Sequence, residues 1–156
     1  MYCANAGDTR CVIASRGKAK DLSNDHKPDL PSEKRRVERG GGFVEEGRVN
    51  GIIAISRAIG DWEYKNASLK PEENMVSSYP EVIVEQLRPD HDFMIIACDG
   101  IWDCLTSQQA VDFVYDAQKK MNLKKAASST TGSSNGNSPT IKTSSTTGST
   151  ASRKSS

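Results

Sequence analysis

Four aspartates, Asp8, Asp61, Asp99 and Asp103, stand beside or near glycines at the ends of predicted strands. Carboxylates held at strand ends are suited to a hard cation such as magnesium or manganese. Asp99 is the sharpest of them. The run Phe93-Met94-Ile95-Ile96-Ala97-Cys98 stops abruptly at Asp99-Gly100-Ile101-Trp102-Asp103, which predicts a buried strand that presents Asp99 at its tip. Gly100 permits a sharp turn, and Asp103, four residues on, faces the same spot if that turn is helical. Asp and Gly also make ordinary turns, so each aspartate by itself fits either a cation ligand or a turn residue.

Other chemistry-bearing groups are less pointed. His26 lies in the polar stretch Ser23-Asn24-Asp25-His26, where a histidine is expected to be solvated. Gly40-Gly41-Gly42 could approach a phosphate, but it follows a predicted helix, whose C-terminal dipole repels anions; a C-cap is the better fit. The alternating charges of Glu33 to Arg39 predict a solvated helix face. Cys3, Cys11, Cys98 and Cys104 show no CxxC spacing and no nearby histidine, which predicts buried free thiols in a reducing compartment.

The elements that must position these groups are short. Met1–Ala6 and Cys11–Ala14 read as two strands of a hairpin turning at Gly7, and a third strand runs through Ala19–Leu22 after Gly17. Asp25-His26-Lys27-Pro28 opens a loop. Pro31 starts a charged helix that ends at Gly40. Phe43-Val44 and Val49–Ile55 suggest a strand pair about Gly47. Residues 62–79 are loop-like, and strands follow at 82–84 and 93–98. Thr106 with Gln109 makes a capping box for a helix carrying Ala110, Val111, Val114, Ala117 and Met121, with fraying expected near Lys119-Lys120. Six or seven strands, two helices and no βαβ alternation indicate an α+β fold of mostly antiparallel strands.

Of the 156 residues, those at 1–120 hold all 20 acidic and 16 of the 21 basic side chains, leaving a body at −4 and a tail at +5. Residues 121–156 are predicted to be a disordered, basic, Ser/Thr-rich tail, which has too little apolar surface to offset its ordering entropy. Its cations are sparse and lack aromatic neighbours, which argues against nucleic acid as a partner. No apolar run approaches a membrane span and no signal peptide is visible, so a cytoplasmic or nuclear location without membrane contact is expected.

A series of motifs in order adds more than spacing can. Asn5-Ala6-Gly7-Asp8-Thr9-Arg10, Leu22-Ser23-Asn24-Asp25-His26-Lys27-Pro28, Glu33 with Arg36-Val37 and Gly41-Gly42, Arg48-Val49-Asn50-Gly51, Ala54 to Asp61, Pro80-Glu81-Val82 and Ala97 to Asp103 together resemble the metal-dependent serine/threonine protein phosphatases of the 2C (PPM) type over about residues 2–118. The resemblance implies part of an α-β-β-α sandwich over 1–120. It also implies two magnesium or manganese ions in a complete site, whose bridging hydroxide attacks phosphoserine or phosphothreonine phosphorus directly. By motif match Asp99 is a core metal ligand, Asp8 and Asp103 border a third, weaker metal position, and Asp61 and Arg57 support the cleft and its substrate-selecting flap. No residue of this chain is matched to a catalytic acid or base. The family's Glu-Asp pair, Asp-Gly-His-Gly-type motif and Asp-Asn motif have no counterpart in the chain. The expectation is therefore a fragment, from an incomplete gene model or a truncated paralogue, with weak or absent metal binding and no activity alone. Exposed strand edges would invite self-association. The alternative is a non-catalytic, phosphatase-derived binding or regulatory module.

Overall fold

The apolar run Cys11-Val12-Ile13-Ala14 is buried on both faces, and the fold is organised around it. In the computed structural model, residues 1–130 are described, with side chains as far as Lys125. The strands are β1 (Tyr2–Asn5), β2 (Arg10–Ser15), β3 (Lys18–Asp21), β4 (Val44–Glu45), β5 (Arg48–Val49), β6 (Glu81–Val84) and β7 (His91–Ala97). The helices are α1 (Pro31–Arg39), α2 (Asp99–Trp102) and α3 (Ser107–Thr130). One sheet has the order β3-β2-β7, a second pairs β1 with β6, and a third pairs β4 with β5; all these pairings are antiparallel. The chain is α+β, as its composition of elements predicts.

The period-two alternation of β2 sends its side chains two ways. Val12 and Ala14 pack with Trp102, Ala110 and Val111 beneath α2 and α3, joined by Phe93, Ile95 and Leu105. Cys11 and Ile13 point oppositely, onto Leu22, Met1 and Cys3. Each such buried aliphatic side chain contributes roughly 1.5–3 kcal/mol. A separate core holds the 31–79 region: Val37, Val49, Ala58, Tyr64 and Val76, with Val44, Ile53, Ile55 and Met75 against them.

Several expectations change. β1 and β2 do not form a hairpin: Tyr2 pairs with Val84 and Asn5 with Glu81, while β2 pairs with β3 and β7. Gly7, at φ 150, carries the chain from one sheet to the other. The strand foreseen at Val49–Ile55 shortens to Arg48–Val49, because Asn50 and Gly51 adopt left-handed angles and turn the chain; a single Val49–Ile53 bridge follows. β7 is not fully buried. It is an edge strand, with Phe93, Ile95 and Ala97 facing the core and Met94 and Ile96 exposed. Cys98, which precedes the short α2, and Cys104, which follows it, are exposed rather than buried; all four cysteines are free. Helix α3 continues past Lys119-Lys120 to Thr130, so 121–130 is helical where the composition predicts tail. The body spans Met1–Lys120, and a second unit starts at Met121; the tail from residue 131 on lies outside the described residues.

Candidate functional site

The β2–β7 ladder decides what meets what. Arg10 pairs with Ala97 at one end of an antiparallel ladder, so the residues just before Arg10 and just after Ala97 lie at the same sheet end. Asp8 is in the first group and Asp99 in the second. Asp99 opens α2, and the Asp103 amide donates to the Asp99 carbonyl at 2.7 Å, one helical turn on. Trp102 anchors this turn: its indole donates to the Ala97 carbonyl at 2.6 Å, and the Arg10 guanidinium lies 5.1 Å from its ring centroid.

A loop then closes over the same corner. The Cys11 amide donates to Ser23 Oγ, and Arg10 grips Asp25 through two parallel hydrogen bonds of 3.0 and 2.8 Å. The His26 amide donates to the Gly7 carbonyl at 3.0 Å, and the Gly7 amide donates back to His26 Nδ1 at 3.3 Å. These ties set Lys27 directly over Asp8, and its ammonium donates to Asp8 Oδ2. The Lys27 pKa is raised, chiefly by that hydrogen bond, with the charges of Asp8, Asp99 and Asp103 adding to it. Asp8 is therefore the aspartate that Lys27 holds, and the charges of Asp99 and Asp103 add to the field at the same ammonium.

The donor chemistry is right for a hard metal ion, but the number of converging donors is not. Among the described residues no group of three or more His, Cys, Asp or Glu side chains is arranged to hold a metal ion. The residues present thus do not, by themselves, fit the resident cation that the family resemblance implies. Asp61 stands apart. It is exposed, follows Gly60 with φ 52, and its charge acts on Lys65 and Tyr64.

Arg57 is also engaged elsewhere. Its Nη2 lies 2.7 Å from Glu33 Oε1, its Nε bonds the same carboxylate, and its Nη1 donates to the Tyr79 carbonyl. Glu33 is only 1 % exposed and is also held by Arg36 at 2.7 Å and by Ser56 Oγ at 2.6 Å. Burial alone pushes the Glu33 carboxyl upward, but the hydrogen bonds from Arg57, Ser56 and Arg36 overcome it and leave the pKa at about 2. Of the α1 charges foreseen as solvated, Lys34, Arg35, Glu38 and Arg39 are exposed, while Glu33 and Arg36 turn inward beside Val37 into an ion cluster. Ser56 continues the connection: its amide and hydroxyl both donate to the His26 carbonyl, at 3.1 and 2.9 Å. His26 is itself buried, contrary to expectation, because its amide and ring are tied to Gly7 and its carbonyl to Ser56; desolvation, then Arg57, lowers its pKa. Gly40, Gly41 and Gly42 close α1, their amides returning to the Arg36, Glu38 and Val37 carbonyls.

Lys27 and Glu33 are the groups whose place residue-by-residue reasoning missed. Both lie within the quoted motifs, but as spacing alone they look like a loop cation and a helix-surface acid.

The family model that matches the chain is described as Protein phosphatase 2C and covers residues 1–134. Protein phosphatase 2C homolog 3 of Schizosaccharomyces pombe is 56% identical over 114 residues, covering 73% of this chain and 28% of that protein. The probable protein phosphatase 2C 60 of Arabidopsis thaliana is 53% identical over 117 residues, 74% of this chain and 33% of its own length. The crystal structure of a phosphatase from Toxoplasma gondii superposes with a TM-score of 0.65 at 31% identity, over 78% of this chain and 38% of that one. The chain spans about a third or less of the curated relatives it matches.

Proposed function

This chain belongs to the protein phosphatase 2C family, and from that membership we propose that it forms part of a protein serine/threonine phosphatase that hydrolyses phosphoserine and phosphothreonine esters in protein substrates. The family is metal-dependent, and the ions proposed here are magnesium or manganese, two in a complete site. Asp99, Asp8 and Asp103 are this chain's share of the donors. The observation that carries the reading is the β2–β7 ladder, whose Arg10–Ala97 pairing brings Asp8 and Asp99 to one end of the sheet. Asp61 and Arg57 serve the flanking 31–79 region. Arg57 acts there through its clasp on Glu33, which ties α1 to the segment leading to Tyr79. We assign residues 1–120 to the phosphatase-type body and 121–156 to a separate basic extension. A cytoplasmic or nuclear location and self-association along the free edge of β7 complete the proposal; among the described residues no helix is long and apolar enough to cross a membrane.

A second reading has one observation in its favour. Because no three-donor group exists among the described residues, the 156-residue chain alone suits a non-catalytic binding module. One assay separates the two. Residues 1–120 replace the matching stretch of the fission-yeast relative, and phosphate release from a phosphothreonine peptide is followed with manganese present. Turnover by the graft within about tenfold of the parent supports the phosphatase reading. A folded but inactive graft contradicts it and leaves the binding module. The free chain should show no turnover above buffer.

A further inference from the structure

Between β1 and β2 the chain crosses from one sheet to another, and a cysteine stands on each side of the crossing. In β1 the side chains alternate, so that Tyr2 and Ala4 are exposed while Cys3 and Asn5 turn inward. In β2, Cys11 and Ile13 are buried with Leu22, and Cys3 packs against that cluster. The Cys3 and Cys11 thiols are joined by a side-chain hydrogen bond. Both thiols are free; Cys3 is half-buried, whereas Cys11 is only 6% exposed. Burial, and then Cys3, pushes the Cys11 thiol up to about 11. Cys11 is thus screened from solution both by access and by its reluctance to ionise, and Cys3 is the sulfur beside it that solvent reaches.

We propose that Cys3 and Cys11 form a reversible disulfide across the Gly7 crossing, made by exchange with a low-molecular-weight disulfide of the glutathione type. The Cys3 thiolate attacks one sulfur of that oxidant, whose S–S bond breaks and whose other half leaves as a thiolate. Cys11 then gives its proton to water, and its sulfur attacks the Cys3 sulfur, expelling the second half of the oxidant as a thiolate. The protein loses two electrons and two protons; the oxidant gains both and becomes two thiols. Contact between the two cysteines offsets the scarcity of Cys11 thiolate, because the second step is intramolecular. The product closes residues 3–11 into a ring holding Gly7, Asp8 and Arg10, and ties β1, with its partner β6, covalently to β2. Cys98 and Cys104 are the more exposed pair, but the turn of α2 stands between them. Contact, not exposure, selects the pair.

The full 156-residue chain, folded and treated with oxidised glutathione, is quenched in acid, alkylated and cut with trypsin, which cleaves after Arg10. Mass spectrometry should find Met1–Arg10 joined to Cys11–Arg16 as the main intramolecular disulfide, lost on reduction. Cys11 still open to alkylation after Cys98 and Cys104 have reacted overturns the proposal, and so does a Cys98–Cys104 bond as the main product. Two variants test the order of events. Cys11→Ser should hold Cys3 as a stable mixed disulfide with glutathione. Folded Cys3→Ser should slow oxidation of Cys11 by at least about tenfold, since the oxidant loses its relay; Cys11 oxidised as fast without Cys3 contradicts it. In the unaltered chain, hydrogen exchange of the β1 and β6 amides should slow by about tenfold on oxidation. Exchange left unchanged by a formed Cys3–Cys11 bond contradicts the tie between the sheets.

Discussion

The Glu33 carboxylate, 1 % exposed, accepts a hydrogen bond from Arg57 Nη2 at 2.7 Å across 24 residues of sequence. With Arg36 on its other oxygen it forms a buried triad that joins α1 to the segment running to Tyr79. Such clusters need not stabilise relative to an apolar replacement, but breaking one partner strands the others. Glu33→Gln should therefore cost about 3 kcal/mol, chiefly because two guanidiniums lose their counter-charge in a dry site. Urea unfolding of the purified variants measures it; a loss under about 0.5 kcal/mol, as for a typical surface pair, would contradict the clasp.

The same triad fixes the acid limb of stability. Glu33 is held at about 2, against an ordinary value of 4.5, so its stabilisation is complete above pH 4.5 and is lost as pH falls from there towards 2. Over that window the loss is on the order of 3 kcal/mol. His26, depressed from 6.5 by burial and then by Arg57, adds a loss that begins as pH drops below 6.5. Denaturant midpoints between pH 8 and 3 should stay level above 6.5, begin to fall below it, and fall further once pH drops below 4.5. Glu33→Gln should remove the loss below 4.5 and keep the one that begins below 6.5.

Trp102 links the core to the acidic corner, packing on Val12, Ala14, Ala110 and Val111 while its indole holds the Ala97 carbonyl. Trp102→Ala should cost about 3–5 kcal/mol. Trp102→Phe retains most of the packing but leaves that carbonyl without its indole donor, for about 1–2 kcal/mol. Thermal melts of the two variants should rank in that order; equal losses would show that the hydrogen bond, not the packing, dominates.

Gly42 and Gly41 are neighbours with opposite demands. A Cβ on Gly42 would meet Met75 Sδ at 2.6 Å and Asn50 Oδ1 at 2.9 Å, so crowding forbids it. A Cβ on Gly41 meets nothing within 4 Å, but its φ of 90° disfavours other residues. Gly42→Ala should destabilise by about 1–3 kcal/mol through displacement of Met75 from the Val37–Val49 core. Gly41→Asn should cost less than Gly41→Val, because asparagine tolerates left-handed angles better. Calorimetric melting of the three variants checks both statements.

What the sequence made legible was local. The apolar run into Asp99 announces β7 and its tip, and Pro31 with the glycines at 40–42 brackets α1 within a residue or so. What escaped was partner choice. Period-two patterning shows that Tyr2–Asn5 is extended but not that its partner lies some 80 residues away at Glu81–Val84, and so a hairpin looked natural. Glu33 shows the same gap in the site. An acid among arginines on a helix reads as solvated until Arg57 and Ser56 fold over it. Lys27 was invisible for a third reason: its role depends on loop ties to Gly7 and Arg10 that no single-sequence pattern encodes.

The central claim is that the corner built by Asp8, Asp99 and Asp103 is this chain's contribution to phosphatase chemistry. Manganese-dependent phosphate release by the fission-yeast graft carrying Asp99→Asn tests it most directly, beside a graft carrying Asp116→Asn on the exposed face of α3. A fall of at least about 100-fold for Asp99→Asn, with Asp116→Asn unchanged, is the expected result. Full activity in a folded Asp99→Asn graft would contradict the account.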